Sequence, residues 1–403
     1  MRLVWQLSPA ARGAAVLVAM TVTAALMTGR GELIALAVPG LLWLTASLRA
    51  RRPATTTIQA RLGSPRTPEG GEVELALAVP DDGLEYRGEL QRGWYEIRHV
   101  EATSWRLQMP VWGRHPVRVA VQISTPGGAW RAVVRFAVTI EVTPRGVPGT
   151  AALRGTVRRP SYGERAARVP GAGTEFLDVA EWTPGTALRR VHWAATLRTG
   201  EVHVARMAAD RNQDVLLVVD ARTEAGPIGA STVDRAVRAA VALAEAHLRA
   251  GDRVALAMAG ARLHWVAPGS GTRQLIRMIN CLLDHRTGDA ARRVDIDRIP
   301  PQILVPGALT ICLSAMLNEE SLRLIGDVRR RGHPTVVVDV LDREPPAGRR
   351  IGQQQALRTW RLSRVAIRQH LSRRGIVAVT WPADASLAAA LRPLAMRPIG
   401  ARR

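Results

Sequence analysis

The run QDVLLVVD, residues 213–220, followed by STVDRAVRAAVALAEAHLR, residues 231–249, decides the fold of the C-terminal half of this 403-residue chain. The first segment is apolar without a break from Val215 to Val219, the pattern of a strand covered on both faces. The second spaces Val233, Val237, Ala240 and Ala244 three and four residues apart, which predicts a helix with one apolar face. The alternation repeats through RVALAMA, TRQLIRMINCLLDH, ALTICLS, EESLRLIGDVRRRG and PTVVVDVL, then a helix near 353–373, GIVAVTW and a last helix from about Ser386 to Leu394. Buried strands separated by helices predict a mostly parallel, Rossmann-like α/β domain over residues 214–403.

Upstream, residues 145–213 are rich in Arg, Gly and Pro and read as a connecting region. Residues 53–144 change character again, with the short alternating runs TTTIQARL, EVELALAV, WYEIRHV, WRLQMPV, PVRVAVQIS and WRAVVRFAVTIEV separated by turns such as Glu69-Gly70-Gly71 and Asp81-Asp82-Gly83. Period-two strands at this spacing predict an antiparallel β-sandwich.

The first 52 residues carry two apolar segments: 17 uncharged residues between Arg12 and Arg30, and 16 between Glu32 and Arg49. They predict helices at about 13–29 and 33–48. Each gives about 25 Å of helix, slightly short of a hydrocarbon core of about 30 Å, a gap that snorkelling Arg side chains and tilt can absorb. Arg2 and Arg12 precede the first segment and Arg49, Arg51 and Arg52 follow the second, while the turn carries one charge of each sign. Positive-inside counting predicts a two-pass hairpin in the cell membrane, with the N-terminus and the soluble domains, about 350 residues, in the cytoplasm. A cleaved signal peptide is the competing reading, but LMTGRGEL offers no small-x-small site and leaves the second segment unexplained.

The net charge is +22, and all 56 basic residues are Arg. They are spread along the chain rather than gathered in one stripe, which fits a solvated surface near anionic lipid and gives no recognition motif for nucleic acid. Cys281 and Cys312 stand singly among apolar neighbours and predict buried free thiols in a reducing compartment, without disulfide or structural zinc.

The connecting region contains the stretch GAGTEFLDVAEWTPGTALRRVHWAATLRTGEVHVAR, residues 171–206. It resembles the bacterial family catalogued as domain of unknown function 58. Glu175, Phe176, Glu181, Trp182, Pro184, Gly185, Arg189 or Arg190, Trp193 and Arg198 occupy the places of that family's motif. The hairpin, the sandwich and a C-terminal von Willebrand factor A-like domain fit the same resemblance. This copy departs from the pattern at Ala180, Thr186 and His192, where charged or acidic residues are usual, and Trp182 stands for Tyr. Read physically, Pro184-Gly185 makes a tight turn, Glu181 can pair with Arg189 or Arg190 across it, and Trp182 and Trp193 act as packing anchors. The segment is then either a clasp between domains or a surface for docking a partner.

The resemblance also implies where a metal would sit. A von Willebrand factor A-like domain often binds a divalent cation through an Asp-x-Ser-x-Ser loop, which supplies hard oxygen ligands. Here the loop is Asp220-Ala221-Arg222-Thr223-Glu224, with both Ser positions changed and a cationic Arg222 in it, so no metal or other cofactor is expected and Mg²⁺ is disfavoured. Asp220 is expected to pair with Arg222 or to cap a loop. No phosphate-binding loop, nucleophile elbow or helical His pair is present in the sequence; the scattered His residues read as structural, and Asp339 and Asp342 as solvated loop acids. The function expected is a membrane-anchored, non-enzymatic protein-interaction module. The resemblance implies a MoxR-type AAA+ ATPase as partner, in chaperone-like assembly or maturation of other factors. The alternatives are an enzyme acting on cell-envelope precursors at the membrane, and a binder of anionic surfaces.

Overall fold

The structure, a computed structural model, describes residues 1–153, 159–160, 166–183, 191–287, 299–346 and 348–395. The chain divides into two compact units, Met1–Thr143 and Pro144–Arg403.

The first unit begins with a short strand β1 (Gln6–Leu7) and two helices, α1 (Pro9–Thr28) and α2 (Glu32–Leu48). Ser8 caps α1 by accepting the Ala11 amide at 3.1 Å, and Pro9 occupies the first turn, where no amide hydrogen is needed. The left-handed Gly29 (φ 64°) ends the helix. α1 spans 20 residues and includes an 18-residue window of mean hydropathy 1.7, so it is long and apolar enough to cross a membrane. α2 is a shorter apolar helix of 17 residues. The two pack so closely that a Cβ on Gly40 would come within 2.9 Å of Val18. Val16, Leu17, Met20 and Leu26 of α1 and Leu36, Leu41 and Leu42 of α2 point outward. The hydroxyls of Thr21, Thr23 and Thr28 donate to carbonyls one turn back, at 2.7–2.8 Å, so these polar groups need no water.

Eight strands follow: β2 (Gln59–Leu62), β3 (Arg66–Pro68), β4 (Glu72–Ala78), β5 (Glu85–Leu90), β6 (Glu96–Val100), β7 (Ser104–Gln108), β8 (Gly113–Ser124) and β9 (Trp130–Thr143). They form two sheets, β2-β4-β7-β6 and β1-β9-β8-β5, antiparallel throughout except where β3 joins β9 in parallel. β4 and β8 alternate buried and exposed residues, as a sheet with one wet face requires. Val73, Leu75, Trp105 and Leu107 of one sheet and Val119, Val121, Ile123 and Ile140 of the other make a single apolar core. Leu3 enters that core, the Trp5 indole donates to the Pro53 carbonyl at 2.8 Å, and β1 pairs with β9. The residues on both sides of the helix pair therefore belong to one folded sheet.

The second unit contains β10 (Arg159–Pro160), β11 (Ala166–Glu181), α3 (Trp193–Thr199), β12 (His203–Asn212), β13 (Asp214–Asp220), α4 (Thr232–Arg249), β14 (Arg253–Ala259), β15 (Leu263–Gly269), α5 (Gly271–Thr287), β16 (Leu309–Ser314), α6 (Glu319–Arg330), β17 (Thr335–Asp339), α7 (Ile351–Arg373), β18 (Val377–Thr380) and α8 (Leu387–Ala395). The region read as connecting thus holds a three-stranded antiparallel sheet, β10-β12-β11, and a short helix. The large sheet runs β15-β14-β13-β16-β17-β18, parallel except for the β14–β15 hairpin. Every residue of β16 and β17 is buried. Strand order reverses direction between β13 and β16, so the crevice of an open α/β sheet lies beyond Asp220 and Ser314. A Ser231–Asp234 capping box starts α4 next to that crevice.

Candidate functional site

The carboxyl edge of the parallel sheet is built by its strand ends. Ser314, the last residue of β16, donates its hydroxyl to Asp220 of β13 at 2.6 Å and accepts the Met316 amide at 2.9 Å. Asp220 also accepts the Arg222 amide at 3.4 Å, so its carboxylate caps the loop that follows it. Met316 takes a left-handed conformation, φ 50°, which a non-glycine residue adopts only where its surroundings hold it. The Asn318 amide donates to Thr223 at 2.7 Å across the same crevice. Glu224 turns away from Asp220 and accepts the hydroxyl of Ser231 at the α4 cap. The Asp220 and Glu224 carboxylates thus serve different partners, Ser314 and the Arg222 amide for the first and Ser231 for the second. Among the described residues, no group of three or more His, Cys, Asp or Glu side chains is placed to hold a metal ion.

Beneath this edge sits an ion pair that the sequence did not announce. Asp339, expected as a solvated acid, is buried at the end of β17, and so is Arg364, from the inner face of α7. Arg364 donates to Asp339 at 2.5 Å and to the carbonyls of Ala315 and Met316 at 2.7 and 3.0 Å. Burial pushes the Asp339 carboxyl up from the usual carboxylate range, although the guanidinium opposes the shift. A second arginine, Arg235 of α4, donates to the carbonyls of Val340 and Trp381 at 3.1 and 2.8 Å and stacks 4.0 Å over the Trp381 ring. Internal guanidinium groups therefore satisfy strand-end carbonyls where a ligand would otherwise be offered them.

At the opposite edge, His247 and Asp252 are fully buried 2.7 Å apart. The His247 Nε2 accepts the Leu153 amide at 3.2 Å, which fixes the tautomer with its proton on Nδ1, toward Asp252. Asp252 also accepts the Gln213 amide at 3.1 Å. With both ring nitrogens engaged, the pair ties chain segments together and leaves no lone pair for proton abstraction. Burial pushes the Cys281 and Cys312 thiols up to about 12, as expected of inert core residues.

The motif segment lies on β11, α3 and β12. Phe176 and Glu181 are exposed on β11, and the Trp182 amide just beyond it donates to the Val202 carbonyl at 2.7 Å. Trp193 and Leu197 stand one turn apart on α3, 69% and 82% exposed, and Arg198 beside them is also exposed. Trp193 is therefore not buried as a packing anchor would be, while Trp182 is 38% exposed; Ala195 of α3 and Val204 of β12 are the buried residues there. His192 caps α3, its Nδ1 accepting the Ala195 amide at 3.2 Å, a role that Asp also performs well. Ala180 faces Val204 across the β11–β12 ladder. Asp178 and Arg206, which sequence reasoning passed over, form a two-bond pair at 2.6 and 2.5 Å that holds the Asp178 carboxyl below its usual range. Pro184, Gly185, Thr186, Arg189 and Arg190, the expected Glu181 pairing with them and the Glu175 side chain lie outside the described residues.

Residues 178–374, from Asp178 on β11 to the end of α7, match the family model described as "Protein of unknown function DUF58". That DUF58 domain takes in Glu181 through Arg198 of the motif and most of the α/β sheet. The chain is also 29% identical over 183 residues to Uncharacterized protein Rv1480 of Mycobacterium tuberculosis and, at the same identity, to Uncharacterized protein Mb1516 of Mycobacterium bovis. The match covers 45% of this chain, and the chain spans about half the length (51%) of those curated relatives. No solved structure matches it.

Proposed function

We propose that this chain is a membrane-anchored protein-interaction module: a helical hairpin tether, a β-sandwich and a von Willebrand factor A-like domain that together partner a MoxR-type AAA+ ATPase in chaperone-like assembly or maturation. One observation carries the interaction reading. The DUF58 segment displays Trp193 and Leu197 to solvent, with Trp182 and Val202 partly exposed beside them. Exposed Trp beside Arg is the composition of protein-binding hot spots, and a fold that gains nothing from such exposure keeps it for a partner. The ATPase as partner rests on the family resemblance.

The tether reading rests on connectivity as well as hydropathy. That Leu3 and β1 pack with strands that follow α2 supports both outer ends of the helix pair lying on one side of a bilayer. Two apolar helices tied in this way cross as a hairpin, and the flanking arginines support a cytoplasmic tied side. The carboxyl edge is read as metal-independent: Arg222 and Glu224 replace hydroxyl ligands, and Arg364 supplies positive charge to Asp339 directly.

The test is quantitative co-purification of the tagged chain from its native membranes, with a W193S/L197S variant alongside. Loss of this much exposed apolar surface should lower recovery of the ATPase about tenfold or more. Failure to enrich an ATPase of this class over a tag-only control would overturn the partnership, and unchanged recovery with the variant would overturn the docking surface.

A further inference from the structure

The helix α7 is 23 residues long and contains five arginines and no acidic residue. Its inner face, Trp360, Arg364, Ile367 and Leu371, turns toward the sheet; Arg364 and Leu371 are its buried residues. The opposite face carries Ile351, Leu362 and Val365, three turns apart and then three residues apart, with Leu362 70% exposed. Beside that stripe opens a cleft of about 390 Å³ that includes Trp360, Arg361, Arg364, Arg368 and Thr380. Its charged lining is four arginines against three carboxylates.

We infer that this face of α7 and the cleft beside it dock an acidic amphipathic segment of a partner protein, its carboxylates meeting Arg361 and Arg368 and its apolar side chains covering Leu362 and Val365. The cleft already holds an example of the contact. The exposed Glu344 carboxylate accepts from both Nε and a terminal nitrogen of Arg361, at 2.8 and 2.6 Å, so an incoming carboxylate at Arg361 exchanges with Glu344. Arg368 donates to the Thr380 hydroxyl at 3.1 Å, a neutral acceptor that a carboxylate would replace with gain. The three acids of the cleft favour singly charged carboxylates over a multiply charged phosphate, and the adjoining apolar stripe suits a peptide that brings side chains of both kinds. None of the residues lining the cleft belongs to the motif on α3 and β11.

The experiment uses the full chain in neutral detergent micelles. The probe is a fluorescein-labelled 18-residue helical peptide with Glu and Leu on adjoining faces; controls are its Gln-for-Glu counterpart and phosphatidylglycerol vesicles. The Glu peptide should bind about tenfold more tightly than the Gln peptide, and R368Q and L362S should each weaken it about fivefold, while R277Q on the exposed face of α5 leaves it within about twofold. Arg368 and Leu362 are exposed, so neither variant threatens the fold, and circular dichroism checks this. Equal binding of both peptides, an R277Q loss as large as that of R368Q, or Arg368-dependent binding of the vesicles without the peptide would each overturn the inference.

Discussion

Replacing Arg364 by Met removes one half of an ion pair whose side chains are 6% and 5% exposed. Three acceptors lose their donor at once: the Asp339 carboxylate and the carbonyls of Ala315 and Met316. Breaking a buried pair in this way costs about 3–5 kcal/mol, because the remaining charge stays buried without a partner. Met nearly preserves the volume, so little of that loss comes from a cavity. The chain has two units and apolar helices, so a single melting temperature would mix several transitions. Native-state hydrogen exchange on peptides from β16 and β17 avoids the difficulty, since those fully buried strands open only with the sheet. Their slowest amides should exchange about 150- to 5,000-fold faster in R364M at fixed pH, the factor corresponding to that free-energy loss. Adding D339N should recover a large part of it, because the orphaned charge is then gone. A change below about fivefold, or an R364M/D339N variant no better than R364M alone, would place the pair among weak surface bridges and refute the reading of Arg364 as the cation of the carboxyl edge.

Two further outcomes follow from burial and connectivity. With both thiols pushed up to about 12, Cys281 and Cys312 carry almost no thiolate at pH 8, so iodoacetamide should leave the native chain unlabelled and modify two sites after denaturation; rapid native labelling would contradict their burial. A single cysteine introduced at Gly31, in the turn between α1 and α2, should react with an impermeant maleimide in intact cells, while one at Ala50 should react only after the cells are opened; equal protection of both would refute the hairpin.

The parallel sheet was legible because its strands are covered on both faces and so read as unbroken apolar runs, and the two sheets of the first unit because alternation along β4 and β8 matches their burial, whereas β10-β12-β11 lay in a region read as connecting. Elements that exist only through distant partners were not legible. β1 is two residues long and is a strand because β9 pairs with it. β15, LHWVAPG, is an edge strand of mixed burial that reads as a loop until β14 is placed beside it. α1 starts at Pro9 rather than near residue 13, because the Ser8-Pro9 cap outranks the charge at Arg12 as a start signal. At the candidate site, the loop role of Asp220 could be read from its own neighbours. The burial of Asp339 could not, since its partner is 25 residues away in a helix whose other arginines are mostly solvated. His192 shows the same limit in reverse: the sequence marks it as a departure from the resembled motif, and the structure gives it the capping bond of α3.

These placements bear on where a partner would bind. The carboxyl edge of an open α/β sheet is where small ligands usually enter, because strand-end carbonyls and amides there lack partners. In this chain Ser314 engages Asp220, Arg364 takes the carbonyls of Ala315 and Met316, and Arg235 takes those of Val340 and Trp381, so much of that edge is satisfied from within. The exposed large side chains of the second unit instead include Trp193 and Leu197 on α3, which packs against β12, and Ile351, Leu362 and Val365 on α7, which packs against β18. An edge occupied by its own arginines gives a substrate little to displace. Helix faces rich in Trp, Leu and Arg give another protein both area and charge. On the proposed interaction reading, the same cations that stabilise the edge leave recognition to outer surfaces that a macromolecule can cover.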